Sequence, residues 1–456
     1  MQLLRVSANR RFLVHEDGTP FFWLGDTAWE LFHRLTLDEA EAYLENRRRK
    51  GFTVIQAVAL AELDGLNVPN ANGDRPLLDH DPRRPNEAYF AHVDRIIRLA
   101  ATKGLRIGLL PTWGDKLELL AHGVGPVIFD PERARHYGEW IGRRYREFPN
   151  LVWINGGDRQ GGGPNAAVWN ALGSAIKAAD PHHLMTFHPP GGDGGHSSSE
   201  WFHHADWLDF NLAQSGHEAR GAANHRIVAR DYALAPVRPC LDGEPCYEDH
   251  PVNWRPAELG YFDPLDVRQA AYRAVFAGAC GHTYGCHPVW QFLDAGRTPI
   301  GFARRNWREA LDLPAAGQMG HLRRLIESRP MLSRVPDSVW LIDPAAHPDA
   351  RHACRGDGYG FVYLPRGGPV TVRLGEWMTD RVRAWWYDPT GGGALDLGVQ
   401  ERRDQLTFNP PWPGTDIDAV LVLDDAARGF PAPGGPPFAF PHAAESAAEP
   451  TSRRGA

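Results

Sequence analysis

The apolar positions of the first 330 or so residues fall into short β-rich runs, each closed by Gly, Pro or a polar residue. The runs are Phe21–Asp26, Phe52–Leu60, Arg106–Trp113, Leu151–Asn155, Leu184–His188, Leu208–Leu212, Arg238–Asp242 and Ala279–Tyr284. Helical patterns separate several of them. Thr36-Leu-Asp-Glu39 opens like a capping box, in which the Thr hydroxyl and the Glu carboxylate satisfy each other's backbone N–H groups. Tyr89–Ala100 carries apolar residues at helical spacing and stops at Gly104, and Pro131 follows Asp130 at a first helical position. Asp266–Phe276 reads as a further helix. Strand–helix alternation on this scale predicts an α/β fold, a (β/α)8 TIM barrel over residues 1–331. An open doubly wound sheet would want a Gly-rich phosphate turn after the first strand, and Gly25-Asp-Thr-Ala-Trp29 is not one.

The pattern changes after residue 332. Ser338–Ile342, Gly360–Leu364, Val370–Leu374, Val382–Tyr387, Leu406–Phe408 and Ala419–Leu423 follow one another with Gly/Pro turns and no helices between them. This predicts a small antiparallel β-sandwich over residues 332–427. Residues 428–456 are rich in Pro, Ala, Gly and Ser, a composition that predicts a disordered tail.

Composition narrows the function. The 456 residues carry 49 basic and 56 acidic side chains, a net charge of −7, which gives no electrostatic footprint for nucleic acid or an anionic membrane. No run approaches the ~18 apolar residues of a membrane span. The first residues lack the apolar core of a secretory signal, which predicts a cytoplasmic protein. Five cysteines, an odd and sparse set, predict buried thiols rather than a disulfide framework. The 16 Trp change the picture more: several fall in strand-end motifs, where a flat indole face suits a sugar ring, although most Trp in any protein serve the core.

Barrels of this class carry their chemistry at the C-terminal ends of the strands. Those ends offer Asp26 and Trp29, Gln56, Trp113, Asn155 and Asp158, His188, Gln214 and His217, Asp242 and Glu244, and Tyr284, His287 and Trp290. The set is polar, acidic and aromatic. Asp158 closes Leu151-Val-Trp-Ile-Asn-Gly-Gly-Asp158 and Glu244 closes Pro239-Cys-Leu-Asp-Gly-Glu244. Strands four and seven lie across the barrel mouth from each other, so these two acids form the carboxyl pair that glycosidic bond cleavage requires. A helix cap or a loop ion pair is the plainer role for either one alone. A retaining enzyme holds such carboxyls about 5–5.5 Å apart and an inverting one about 6.5–9.5 Å, and sequence does not choose between them. Asp26, Trp29, Gln56, Trp113, His188, Gln214, Tyr284 and Trp290 are the expected sugar contacts. The histidines at 182–183, 203–204, 282 and 287 invite a metal reading, but the first strand end lacks the His-x-His of metal-dependent barrel hydrolases. The expectation is therefore a carbohydrate partner and neither metal nor cofactor. A non-catalytic carbohydrate-binding barrel is the second reading, and a metal hydrolase the third.

Phe12-Leu-Val, Asp17-Gly-Thr-Pro-Phe-Phe-Trp-Leu-Gly-Asp-Thr-Ala-Trp29, Gly51-Phe-Thr-Val-Ile-Gln56, Ile154-Asn-Gly-Gly-Asp158 and Gly243-Glu-Pro245 together resemble the bacterial apiosidase-like glycoside hydrolases. The resemblance covers residues 5 to 425, and the β-rich C-terminal part resembles the collagen-binding module that follows the barrel in that family. It implies a retaining mechanism, with Asp158 as general acid/base and Glu244 as nucleophile. Many retaining relatives carry Asn-Glu at the end of strand four, whereas this chain has Gly157-Asp158. Characterised relatives release apiose, a branched pentofuranose, from plant polysaccharides or glycosides. The resemblance thus implies an exo-acting glycosidase that frees a terminal apiose or other pentose, and the missing export signal implies short, imported glycosides.

Overall fold

Eight parallel strands form the barrel: β1 Trp23–Thr27, β2 Val54–Val58, β3 Arg106–Leu110, β4 Leu151–Gly156, β5 Met185–His188, β6 Asn211–Gln214, β7 Cys240–Glu244 and β8 Gly281–Tyr284. The computed structural model describes residues 1–120, 123–192, 194–342, 349–375, 378–412 and 417–435. Hydrogen-bonded neighbours run β5-β4-β3-β2-β1-β8-β7-β6, and a short antiparallel strand at His196–Ser197 lies beyond β6. The seam between β5 and β6 is closed locally, with Asp209 N donating to Met185 O at 2.8 Å and Thr186 Oγ1 to Phe210 O at 2.7 Å. Every residue of the eight strands is buried, because the barrel interior covers one face and helices cover the other. That is why the strands read as nearly continuous apolar runs rather than alternating ones.

The helix signals act as expected. Thr36 caps the helix Leu37–Arg49 with a reciprocal Glu39 contact, and the Asp130 side chain accepts from Arg133 N at the start of Pro131–Tyr145. The helix Pro264–Phe276 starts at a capping box from Asp263, three residues before the expected Asp266. A three-stranded antiparallel sheet, Leu4–Val6, Leu13–His15 and Pro20–Phe21, leads into β1.

Beyond the barrel, a six-stranded antiparallel sheet runs in the order Val335–Pro336, His352–Gly356, Tyr359–Leu364, Ala419–Asp425, Arg381–Tyr387, Ala394–Glu401. A two-stranded ribbon, Val370–Val372 with Leu406–Phe408, packs on one face of it. Alternation assigns the faces: Tyr359, Phe361 and Tyr363 join the barrel core, while Val362 and Leu364 join the ribbon core. Tyr363 stacks on Tyr272 with centroids 4.8 Å apart. Arg268 binds Asp418 and Arg329 binds Asp424 as buried bidentate pairs across the same contact.

Two details differ from the sequence reading. Ser338–Ile342 is not a strand; it is a turn with a single bridge from Leu341 to Val372. His352–Gly356 and Ala394–Glu401 are strands that lack an apolar run, the second because it is a largely exposed edge. Of the expected tail, residues 436–456 lie outside the described residues. Among the described residues no helix is long and apolar enough to cross a membrane, and all five cysteines are free and buried.

Candidate active site

The chain leaves β4 through a sharp reversal. Gly156, Gly157 and Asp158 all take positive φ, +97°, +128° and +52°. A Cβ on Gly156 would meet His188 O at 2.3 Å, and one on Gly157 would meet Trp113 Cε3 at 2.9 Å, so only glycine fits either place. Gly157 N donates to His188 O and Gly157 O accepts from Gly114 N, both at 3.0 Å, which ties the reversal to the ends of β5 and β3. Asp158 then sits in the left-handed region, which Asp tolerates better than most residues. Arg159 anchors the following turn, donating to Asp158 O at 2.7 Å and to Glu118 O at 2.8 Å.

Glu244 is aimed by a bulge. Ala213 pairs with Asp242 and Gln214 with Glu244, so Gly243 is one extra residue on β7. A Cβ on Gly243 would meet the Leu212 side chain at 2.5 Å, and its carbonyl accepts from Gln56 Nε2 at 2.9 Å. The Glu244 carboxylate is enclosed by donors: Tyr247 Oη at 2.6 Å and His217 Nε2 at 3.3 Å on Oε1, and His188 Nε2 at 2.8 Å from Oε2. The His188 contact is an ion pair when the imidazole is protonated, and it is out of line for a hydrogen bond. Trp29 and Trp113 pack on the His188 ring with centroids 5.3 and 5.7 Å away.

One carboxylate oxygen of Asp158, one of Glu244 and a ring nitrogen of His188 lie within 4.8 Å of one another. The two acids are driven apart in acidity. Burial and the nearby Glu244 charge push Asp158 up to about 6, against a hydrogen bond from Gln214. Burial alone would raise Glu244 too, but His188 and His217 hold it down at about 2. Burial opposes the His188 cation, and the contact with Glu244 outweighs it, so the His188 pKa is raised. A buried acid kept protonated beside a carboxylate kept ionised is the pairing that acid-assisted nucleophilic cleavage uses. The same three groups are the one cluster among the described residues with donor atoms close enough for a metal ion. The 2.8 Å His188–Glu244 contact already satisfies the charges that a metal would bridge.

A cavity of about 410 Å³ opens over this pair. Of the expected sugar contacts, Trp29, Trp113, Gln214 and Trp290 line it, with Asp158 and Glu244. Four others do not. Asp26 is fully buried beneath, holding Tyr43 Oη and, at 2.6 Å, Arg47 Nε. Gln56 braces the Gly243 carbonyl, Tyr284 donates to Glu248 at 2.6 Å, and His188 is covered by the two indoles. Each is polar at a strand end, yet points into the barrel or toward a helix, and the pleat rather than the residue type decides this. Tyr247, Glu62, Glu218, His250 and Trp254 also line the cavity and come from loops without periodic signal. His217 and His287 line it as well; both stood among the strand-end candidates but not among the expected sugar contacts. His250 stacks on His217 at 4.3 Å and packs edge-on against His287 at 4.3 Å. Burial lowers the His287 pKa to about 4 and that of His250 well below its ordinary value, which favours the neutral rings.

The family model described as "Apiosidase-like, catalytic domain" matches residues 7–333. The chain belongs to that family. It is an apiosidase-like glycoside hydrolase, with a C-terminal part, residues 335–424, that matches the model "Putative collagen-binding domain of a collagenase". Two solved structures share the whole arrangement. A glycoside hydrolase is 35% identical with a TM-score of 0.86, covering 93% of this chain and 97% of that one. A glycoside hydrolase family 5 protein from Bacteroides vulgatus ATCC 8482 is 32% identical with a TM-score of 0.87, covering 94% of each chain. No curated protein matches the sequence. In this apiosidase-like barrel the Asn-Gly-Gly-Asp motif is accounted for by backbone geometry: two glycines turn the chain, and the acid follows them into the mouth.

Proposed function

We propose that the protein is a retaining, exo-acting glycosidase that frees a terminal sugar, with apiose the leading candidate, from a plant-derived glycoside or oligosaccharide. The observation that carries this reading is the pair of carboxyls with oxygens within 4.8 Å of each other and opposite ionisation. This close approach supports retention, because inverting enzymes hold their carboxyls about 6.5–9.5 Å apart to admit a water. Glu244 attacks the anomeric carbon while Asp158 protonates the departing oxygen, giving a glycosyl ester on Glu244. Asp158, now ionised, takes a proton from water, the water oxygen attacks the anomeric carbon, and the ester breaks to return Glu244 as a carboxylate. Trp29, Trp113 and Trp290 offer flat apolar faces to the sugar ring. A second cavity, lined by Gln160, Asn165 and His196, shares Asp158 and Arg159 with the first and offers polar groups for the leaving group beside the acid.

The test is hydrolysis of a panel of aryl glycosides, an aryl apioside among them. The wild type should cleave at least one with net retention at the anomeric centre, read by NMR at early time. Glu244→Gln should abolish cleavage while sugar binding, read from quenching of the cavity tryptophans, remains. Equal turnover in wild type and Glu244→Gln would sink the assignment. Binding without turnover in the wild type would favour a carbohydrate-binding barrel instead.

A further inference from the structure

Glu62 leaves β2 on a short segment that is anchored on both sides. Ala59 N donates to Leu110 O at 2.8 Å, Trp113 N donates to Leu60 O at 3.1 Å, and Leu63 N donates to the buried Glu30 carboxylate at 3.2 Å. The side chain lines the same cavity as Asp158, Glu244, Trp29 and Trp113. Among the described residues its carboxyl has neither a hydrogen-bond nor an ion-pair partner. The charges that act on it most strongly are acidic: Glu30, Asp158, Asp115 and Glu244. Two basic side chains close to those acids are paired with them, Arg34 with Glu30 and Lys116 with Asp115.

We propose that Glu62 is a substrate-binding residue that presents its carboxylic acid O–H to a sugar oxygen in the cavity. The proposal rests on the glycosidase reading and names one polar contact within it. An ionised carboxylate here would face four other acids. Burial and those like charges raise its pKa well above the ordinary range, which favours the neutral acid and with it one O–H donor. The side chain is only half-buried, so a sugar that covers it takes the place of water as the partner of that donor. A hydroxyl or ether oxygen of the bound sugar supplies the acceptor that the neighbouring indoles of Trp29 and Trp113 lack. A neutral acid also spares the catalytic pair. A further negative charge at this place would raise the Asp158 pKa again.

The experiment compares wild type, Glu62→Ala and Glu62→Gln on the aryl glycoside that the wild type cleaves, over a pH series. Glu62→Ala should raise KM about ten-fold with a smaller change in kcat. Glu62→Gln, whose amide still donates, should raise KM about two- to three-fold. The alkaline limb of kcat/KM, set by Asp158, should stay in place in Glu62→Gln, because no charge is removed. A limb displaced to lower pH in Glu62→Gln means that Glu62 is ionised in the wild type and overturns the proposal. So does an unchanged KM in Glu62→Ala. Cooperative thermal unfolding is recorded for both variants; if the alanine variant does not fold, the limb and KM of the glutamine variant decide alone. Cleavage by the wild type with unaltered KM in both variants removes Glu62 and leaves the glycosidase reading standing. No cleavage of any aryl glycoside by the wild type removes both.

Discussion

His188 Nε2 lies 2.8 Å from Oε2 of Glu244, beneath the rings of Trp29 and Trp113. The contact joins the ends of β5 and β7 under the cavity floor. It places a cation where it lowers the pKa of Glu244 directly and that of Asp158 through space. Substituting His188 by Gln should therefore raise both carboxyl pKa values and move both limbs of the kcat/KM profile to higher pH, by about one unit. A residue that served packing alone would lower the plateau and leave the limbs where they are.

The wild-type profile follows from the same pair. Glu244 must be ionised and is so above about 2; Asp158 must be protonated and is so below about 6. Activity on an aryl glycoside should form a bell on the acid side of neutrality, its alkaline limb near the Asp158 value. A plateau that extends unbroken past pH 8 would remove Asp158 as the acid.

Gly157→Ala tests the turn that carries the acid. The position has φ +128° and an added Cβ meets Trp113 Cε3 at 2.9 Å. The strain costs about 2–3 kcal/mol of stability, and displacing Asp158 by even a fraction of an ångström should cut kcat/KM by about 10²-fold. Thermal unfolding and steady-state kinetics measure the two effects separately.

The contact between the barrel and the C-terminal sheet offers a stability test remote from the cavity. Arg329 binds Asp424 with bonds of 2.8 and 2.7 Å, both side chains buried, and Trp385 Nε1 adds a third bond to the same carboxylate. Arg329→Ala leaves that carboxylate enclosed without its cation and should cost about 3–5 kcal/mol. Chemical denaturation should register this loss, while KM at 25 °C stays at the wild-type value.

Much of the fold was legible because its signals are local. Eight apolar runs, Thr36 and Asp130 at helix starts, and the change of period near residue 332 each arise from one segment's own burial or capping. The exceptions in the C-terminal part were strands without an apolar run, such as the edge Ala394–Glu401, where solvent leaves no period to read.

The site divides along a similar line. By itself the sequence determined the class of the chain and its candidate chemistry: acids that close two strand-like runs, and aromatic residues nearby. Tertiary structure alone decided which side chains meet in the cavity. Asp26, Gln56 and Tyr284 are as polar as Gln214, but the pleat turns them toward Arg47, Gly243 O and Glu248 while Gln214 reaches Asp158. Tyr247, His217 and Glu62 arrive from loops whose paths depend on long-range backbone bonds. The acidity of the pair was also settled there. It depends on burial and on charges brought together from separate strands, and no local pattern records either.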